Sequence, residues 1–160
     1  MLVTVGCVGE QFVISPIGVV RCSRAQPEDD LWDRETAIVE LVAPFDERSV
    51  RGLATFSHCI VVYVVNRASW DESRMLRHPR GNPKWPEVGI FAQRAKDRPN
   101  RLGVTVCRIL EVDGTSIRVT GLDAIDGTPV VDIKPWMVEF GPRGDVVQPS
   151  WATDLMKGYW

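Results

Sequence analysis

Histidine is scarce in this chain, with two residues, His58 and His78, among 160. The four cysteines at 7, 22, 59 and 107 lie far apart and form no CxxC pair. The ligand spacing of a structural zinc site is therefore missing, and no metal is expected. Each cysteine has apolar neighbours, which reads as a buried free thiol in a cytoplasmic protein rather than half of a disulfide. Long apolar runs are missing too: the longest uncharged stretch, GLATFSHCIVVYVVN at 52–66, spans fifteen residues and contains a histidine. That is too short for a membrane span. The opening MLVTVGCVGEQ has no basic residue before its apolar part and meets Glu10 early, so a signal peptide is not expected. Charge of one sign is not in excess, since 19 Lys and Arg face 21 Asp and Glu for a net charge of −2. This rules out a protein that coats nucleic acid by bulk electrostatics, while leaving room for a local basic patch. Finally, no GxGxxG follows a strand-like run, which removes the dinucleotide-binding Rossmann unit.

What the chain does have is short stretches rich in Val and Ile, the pattern of strands. Residues 12–22, 37–45, 58–65, 88–93, 102–112, 115–121 and 128–136 make about seven. The sequence VDGTS at 112–116 predicts a hairpin turn and makes the fifth and sixth strands antiparallel neighbours. Helical candidates are ERSVRGLATF at 47–56 and ASWDESRMLRH at 68–78, the second with a Ser69 cap and Glu72 three positions on. The expected architecture is mainly β: a single domain over 1–160, formed by a small, closed or partly closed antiparallel barrel with short helices. From about residue 142 the tail is less patterned, and its Trp151, Tyr159 and Trp160 are expected to dock on the body or on a second subunit. The stretch PRGNPKWP at 79–86 admits neither helix nor central strand and is a loop.

Charge is unevenly placed. Residues 27–35 carry five acids against one arginine, whereas residues 67–108 carry ten Lys or Arg against four acids. An anionic ligand therefore belongs to the middle third. Two stretches place charge where a strand flank is normally apolar. In VGIFAQRAKDRPNRLG at 88–103, Arg94, Arg98 and Arg101 surround a Pro99-Asn100 turn. In DAIDGTPVVDIKPW at 123–136, Asp126-Gly127-Thr128-Pro129 makes a tight polar turn, and Asp132 and Lys134 share one strand face. Solvated arginines, a plain turn and a surface ion pair would account for these features equally well. His58 reads as a hydrogen-bonded structural residue at the head of a strand, and His78 as solvent-exposed.

FSH at 56–58, GIFAQRAKDRPNRLG at 89–103 and DGTPVVDIKP at 126–135, with PIGVVRC at 16–22 and LVAPFDERSVRGLATFSH at 41–58, together resemble the TsaA/TrmO-like methyltransferases. The resemblance covers about residues 14–136. It implies a β-barrel that binds S-adenosylmethionine without a Rossmann sheet, acts on threonylcarbamoyladenosine in tRNA, and forms a homodimer with the cofactor near the subunit interface. The implied cofactor contacts are Arg94, Val104 and the turn Asp126, Gly127, Thr128 and Pro129, then Asn66 and Arg67, and finally Asp30, Leu31 and Trp32. The cofactor's carboxylate suits Arg94. Asp132 and Lys134 are the candidates for placing the acceptor and moving a proton, and Trp136 offers an aromatic face to a sulfonium. Lys96, Arg98, Asn100 and Arg101, with Trp136, form the rim that faces the substrate. The family loop carries a second proline where this chain has Arg101, so Arg101→Pro is expected to alter substrate use more than cofactor binding. The family's second domain has no counterpart within these 160 residues. Two alternatives stand beside the tRNA reading: a methyltransferase acting on a small-molecule metabolite or natural product, and a non-catalytic barrel that binds a nucleotide or RNA.

Overall fold

A computed structural model describes residues 3–7 and 10–160, with side chains from residue 12 onward. The side chain of Cys7 and parts of the opening stretch lie outside the described residues. Ten strands are present: β1 Val3–Cys7, β2 Glu10–Ile14, β3 Gly18–Cys22, β4 Thr36–Leu41, β5 His58–Val64, β6 Leu76–Arg77, β7 Val88–Gly89, β8 Leu102–Asp113, β9 Ser116–Thr120 and β10 Pro129–Pro135. Six of them close into an antiparallel barrel in the order β10-β3-β4-β9-β8-β5. β1 with β2 and β6 with β7 form separate two-stranded pieces. The barrel and its sparse helix agree with the expected mainly β class. No helix among the described residues is long and apolar enough to cross a membrane.

Period-two alternation builds the core. Val20, Ala37, Val39, Cys59, Val61, Tyr63, Cys107, Ile117, Val119 and Val130 turn inward and are almost fully shielded. Cys59 and Cys107 face one another in register across β5 and β8 as free thiols. Burial pushes the Cys59 thiol up to about 11. The predicted hairpin is present, with Asp113 opposite Ser116. Its two loop residues are Gly114 and Thr115, and Gly114 takes the left-handed conformation (φ 55°) that favours glycine.

Several expected elements differ. The run 12–22 is two strands, because Pro16 has no N–H to donate and interrupts the ladder. Of residues 88–93 only Val88 and Gly89 pair as a strand; Ile90–Ala92 form a 3-10 turn with Ile90 buried and Phe91 81% exposed. Residues 47–56 hold two 3-10 turns, Glu47–Val50 and Leu53–Thr55. In 68–78 there is one 3-10 turn, Glu72–Arg74, capped by Asp71, whose carboxylate accepts from Ser73 N, rather than by Ser69. Among the described residues the one α-helix, α1 (Ser150–Leu155), lies in the tail. His58 is half-buried and shares a 2.8 Å hydrogen bond with Ser57. His78 is also half-buried rather than exposed, its Nδ1 donating to the carbonyl of Trp85 at 2.7 Å.

Candidate active-site cavity

At one end of the barrel, β5 finishes, β8 begins, and the β9–β10 connection crosses between them. Tyr63 stands near the end of β5, directly opposite Gly103 on β8. A Cβ at position 103 would lie 2.2 Å from the Tyr63 ring, so glycine is what lets the ring lie flat there. The Tyr63 hydroxyl donates to Asp123 Oδ1 at 2.7 Å and approaches the Asp123 carbonyl at 3.1 Å. Thr105 Oγ1 donates to the same carboxylate oxygen. The second oxygen, Oδ2, accepts from Tyr159 Oη at 2.6 Å. Burial first, and the Asp123 charge second, push both phenols well above the ordinary tyrosine value. Tyr63 and Tyr159 are therefore neutral donors to one carboxylate.

Three segments roof this cluster. The long β5–β8 excursion brings Arg94, whose Nη2 donates to the Val104 carbonyl at 2.6 Å. The acidic strap between β3 and β4 brings Trp32, which is 4% exposed and holds an indole N–H with no hydrogen-bond partner among the described residues. The Arg24 guanidinium lies 4.1 Å from the Trp32 ring centroid. The tail is the third segment: the Leu31 N–H donates to the Gly158 carbonyl at 3.0 Å and the Trp32 N–H to the Tyr159 carbonyl at 2.9 Å. The aromatic tail thus docks on the body. Basic and acidic segments are cross-linked by Arg80 to Asp30 at 2.9 Å and Lys96 to Asp29 at 4.0 Å. Among the described residues three non-glycine positions have positive φ, namely Leu31 (62°), Arg80 (48°) and Arg101 (51°). All three lie in the strap or the excursion.

The cavity, partly open to solvent, measures about 1380 Å³. Of the cofactor candidates, Trp32, Asn66, Arg67, Arg94, Val104 and Thr128 line it; so do Lys96, Arg98 and Asn100 from the rim. Arg94 and the 126–129 turn are therefore brought to a shared space through Thr128. Asp30 and Leu31 lie beside that lining. Asp126, Gly127 and Pro129 serve the barrel seam instead: Asp126 Oδ1 accepts from Cys22 N at 3.2 Å, Gly127 N donates to Val20 O at 2.8 Å, and Pro129 pairs with Val19. Asp132 and Lys134 form a 2.5 Å ion pair on β10 and do not line the cavity, nor does Trp136. Arg101 also stays out of the lining; its guanidinium donates to Ala68 O at 3.2 Å and its N–H to Arg98 O at 3.1 Å. With φ at 51° and that N–H in use, the position does not accept proline, so Arg101→Pro would re-lay the loop rather than tune the rim.

Sequence reasoning missed the hydroxyl cluster of Tyr63, Thr105, Asp123 and Tyr159. One signal was present. Asp123 is the lone charge in GLDAI, whose Leu122, Ala124 and Ile125 are buried, and a carboxylate set among core residues needs donors. Among the described residues no group of three or more His, Cys, Asp or Glu stands close enough to hold a metal ion.

The family described as the tRNA-methyltransferase O N-terminal domain matches residues 22–141. An S-adenosyl-L-methionine-binding protein of Archaeoglobus fulgidus is 36% identical over 79% of this chain and 91% of its own length. The human tRNA (adenine(37)-N6)-methyltransferase is 35% identical over 64% of this chain and 23% of its own length. The crystal structure of TrmO from Pseudomonas aeruginosa superimposes with a TM-score of 0.66 at 28% identity, covering 84% of this chain and 60% of that one. The chain spans 57% of the length of RcsF, its curated relative from the same organism.

Proposed function

The chain belongs to the tRNA-methyltransferase O N-terminal domain family, and on that premise we propose that it is an S-adenosylmethionine-dependent methyltransferase acting on N6 of a modified adenosine, threonylcarbamoyladenosine, in tRNA. The observation that carries this reading is one cavity lined by the donors Arg67, Arg94 and Lys96 together with Asn66 and Thr128. Such a lining calls for a ligand rich in acceptor atoms, as an amino-acid nucleoside is.

The residues present fit that group. Arg94 uses one nitrogen on the Val104 carbonyl, and its remaining donors suit a carboxylate in bidentate contact. Asn66 and Arg67, at the end of β5, add polar contacts along the same wall. When bound, the cofactor supplies a methyl group already activated for in-line displacement. The protein's part is then to align the acceptor and keep water out. At about 1380 Å³ the cavity exceeds the usual range for one small ligand, which leaves room for an acceptor nucleoside beside the donor.

A small-molecule acceptor is the second reading, favoured by one observation. The rim cations are partly engaged within the protein: Lys96 faces Asp29 and Arg98 Nη1 donates to Gln93 O at 3.4 Å. Calorimetry with S-adenosylmethionine tests the cofactor; absence of binding would leave the non-catalytic barrel. Titration with tRNA at increasing salt tests the acceptor, because phosphate contacts give a steep loss of affinity and a small acceptor gives none. Mass spectrometry of host tRNA nucleosides, with and without the gene, identifies the product.

The partner reading is a second copy of this chain. Val104, Val106 and Leu110 point outward from β8 and are exposed, and Val62 and Ile60 stand opposite the first two in register on β5. This stripe begins at the cavity wall at Val104. A homodimer covering it would place the interface beside the cofactor. Sedimentation of wild type and Val106→Asp checks it; a monomeric wild type would remove the dimer.

A further inference from the structure

We propose that Tyr159 is the residue that recognises the acceptor by its N–H, and that Asp123 is the positioning residue that fixes it for this task. The inference rests on the methyltransferase reading above and adds to it a group from the tail, which lies outside the 22–141 stretch matched by the family. A phenol can donate once and accept as well. Here the Tyr159 proton is committed to Asp123 Oδ2 at 2.6 Å, so toward the cavity the oxygen can only accept. Asp123 is held from its other side by Tyr63 and Thr105, both donors, which keeps the carboxylate an acceptor and fixes the direction of the Tyr159 bond. Tyr159 is also gripped from behind: its carbonyl accepts from the Trp32 N–H, and the Gly158 carbonyl accepts from the Leu31 N–H.

The surrounding polar groups make this distinction matter. Arg94, Arg67 and Lys96 line the same cavity and are donors only. They can hold carboxylates, carbonyls and ring nitrogens, but not an N–H. The acids toward the strap are ion-paired, Asp29 with Lys96 at 4.0 Å and Asp30 with Arg80 at 2.9 Å; Glu28, Glu87, Asn66 and Asn100 also line the cavity and can accept, and Tyr159 is distinguished from them by the bond to Asp123 that fixes its oxygen. A substituted exocyclic nitrogen that still carries hydrogen, the state it must have before methylation, finds its acceptor in Tyr159. Once methylated, the same nitrogen has no hydrogen to donate, so substrate is favoured over product.

The test is binding without cofactor, followed by tryptophan fluorescence, of N6-threonylcarbamoyladenosine and its N6-methyl derivative. Wild type should prefer the N–H nucleoside about tenfold, the scale of one hydrogen bond in a shielded site. Tyr159→Phe should bring the two affinities within about twofold of each other. Asp123→Asn, whose amide can donate to the phenol and reverse the bond, should also narrow the gap. S-adenosylmethionine affinity, read by calorimetry, should change less than about twofold in both variants, which also reports that they fold. A preference that survives in Tyr159→Phe overturns the proposal and leaves the methyltransferase reading standing. Wild type that binds the cofactor but neither nucleoside overturns the nucleoside acceptor and this proposal together, whereas failure to bind the cofactor overturns the methyltransferase reading itself.

Discussion

The barrel interior and its roof are built by opposite rules. Inside, the backbone is satisfied by ladder pairs and most side chains are small and apolar, while Tyr63 and Thr105 bond Asp123 at the mouth. In the roof, over 27–32, 66–101 and 148–160, regular ladders are nearly absent. Arginines do the bracing by donating to carbonyls, as Arg24 does to Asp30 O at 2.8 Å, Arg67 to Ala25 O at 2.9 Å and Arg77 to Asp97 O at 2.9 Å. The barrel's stability comes from burial, which tolerates any ligand state. The roof is held by a few directional bonds and includes three non-glycine residues at positive φ, so its energetic balance lies closer to that of its ligands.

The contrast can be broken most sharply from the inside. Ile117→Ala, at a fully shielded barrel position, should lower unfolding free energy by about 4 kcal/mol, seen in urea titration, while the folded fraction keeps its cofactor affinity. Arg101→Pro should cost about 3 kcal/mol, because proline demands negative φ and removes the N–H that closes the turn. That loss should appear with parallel loss of cofactor affinity, since the loop shapes the cavity. Arg94→Ala reverses the pattern: cofactor affinity falls by about 2 kcal/mol in calorimetry, yet stability changes by less than about 0.5 kcal/mol, as expected for an exposed side chain. The gentlest probe is alkaline pH. The folded chain keeps the Cys59 proton up to about 11, whereas an unfolded cysteine loses it near 9.0. Stability should therefore decline as pH rises from about 9 to about 11, with Cys107 and the two buried phenols acting in the same direction. Equilibrium unfolding in that window checks it; a flat profile would place these groups in water.

The same division explains what could be read from the sequence. Inward-facing valines at period two announced the barrel, and the turn at 113–115 announced its longest hairpin, because both signals are local. Arg94, Val104 and Thr128 were found through motif resemblance and do share the cavity. Asp132 and Lys134 face the same way along a strand, but periodicity cannot say whether that face meets a cavity or solvent. Asp123 and Tyr159 are 36 residues apart. No spacing rule links them, and only the path of the tail over the barrel mouth brings them into contact. The strand expected at 88–93 failed for a related reason: Gln93 uses its side-chain amide on the carbonyls of Arg77 and Val88, a competition invisible to propensity.

Trp160 borders the cavity and packs edge-on against Tyr159 at 5.0 Å between ring centroids. Any polypeptide joined after that residue would emerge at the mouth of the pocket, within reach of whatever enters or leaves. A carboxy-terminal affinity tag would thus act as a crude competitive plug, and preparations tagged at opposite ends should differ in their apparent affinity for ligand.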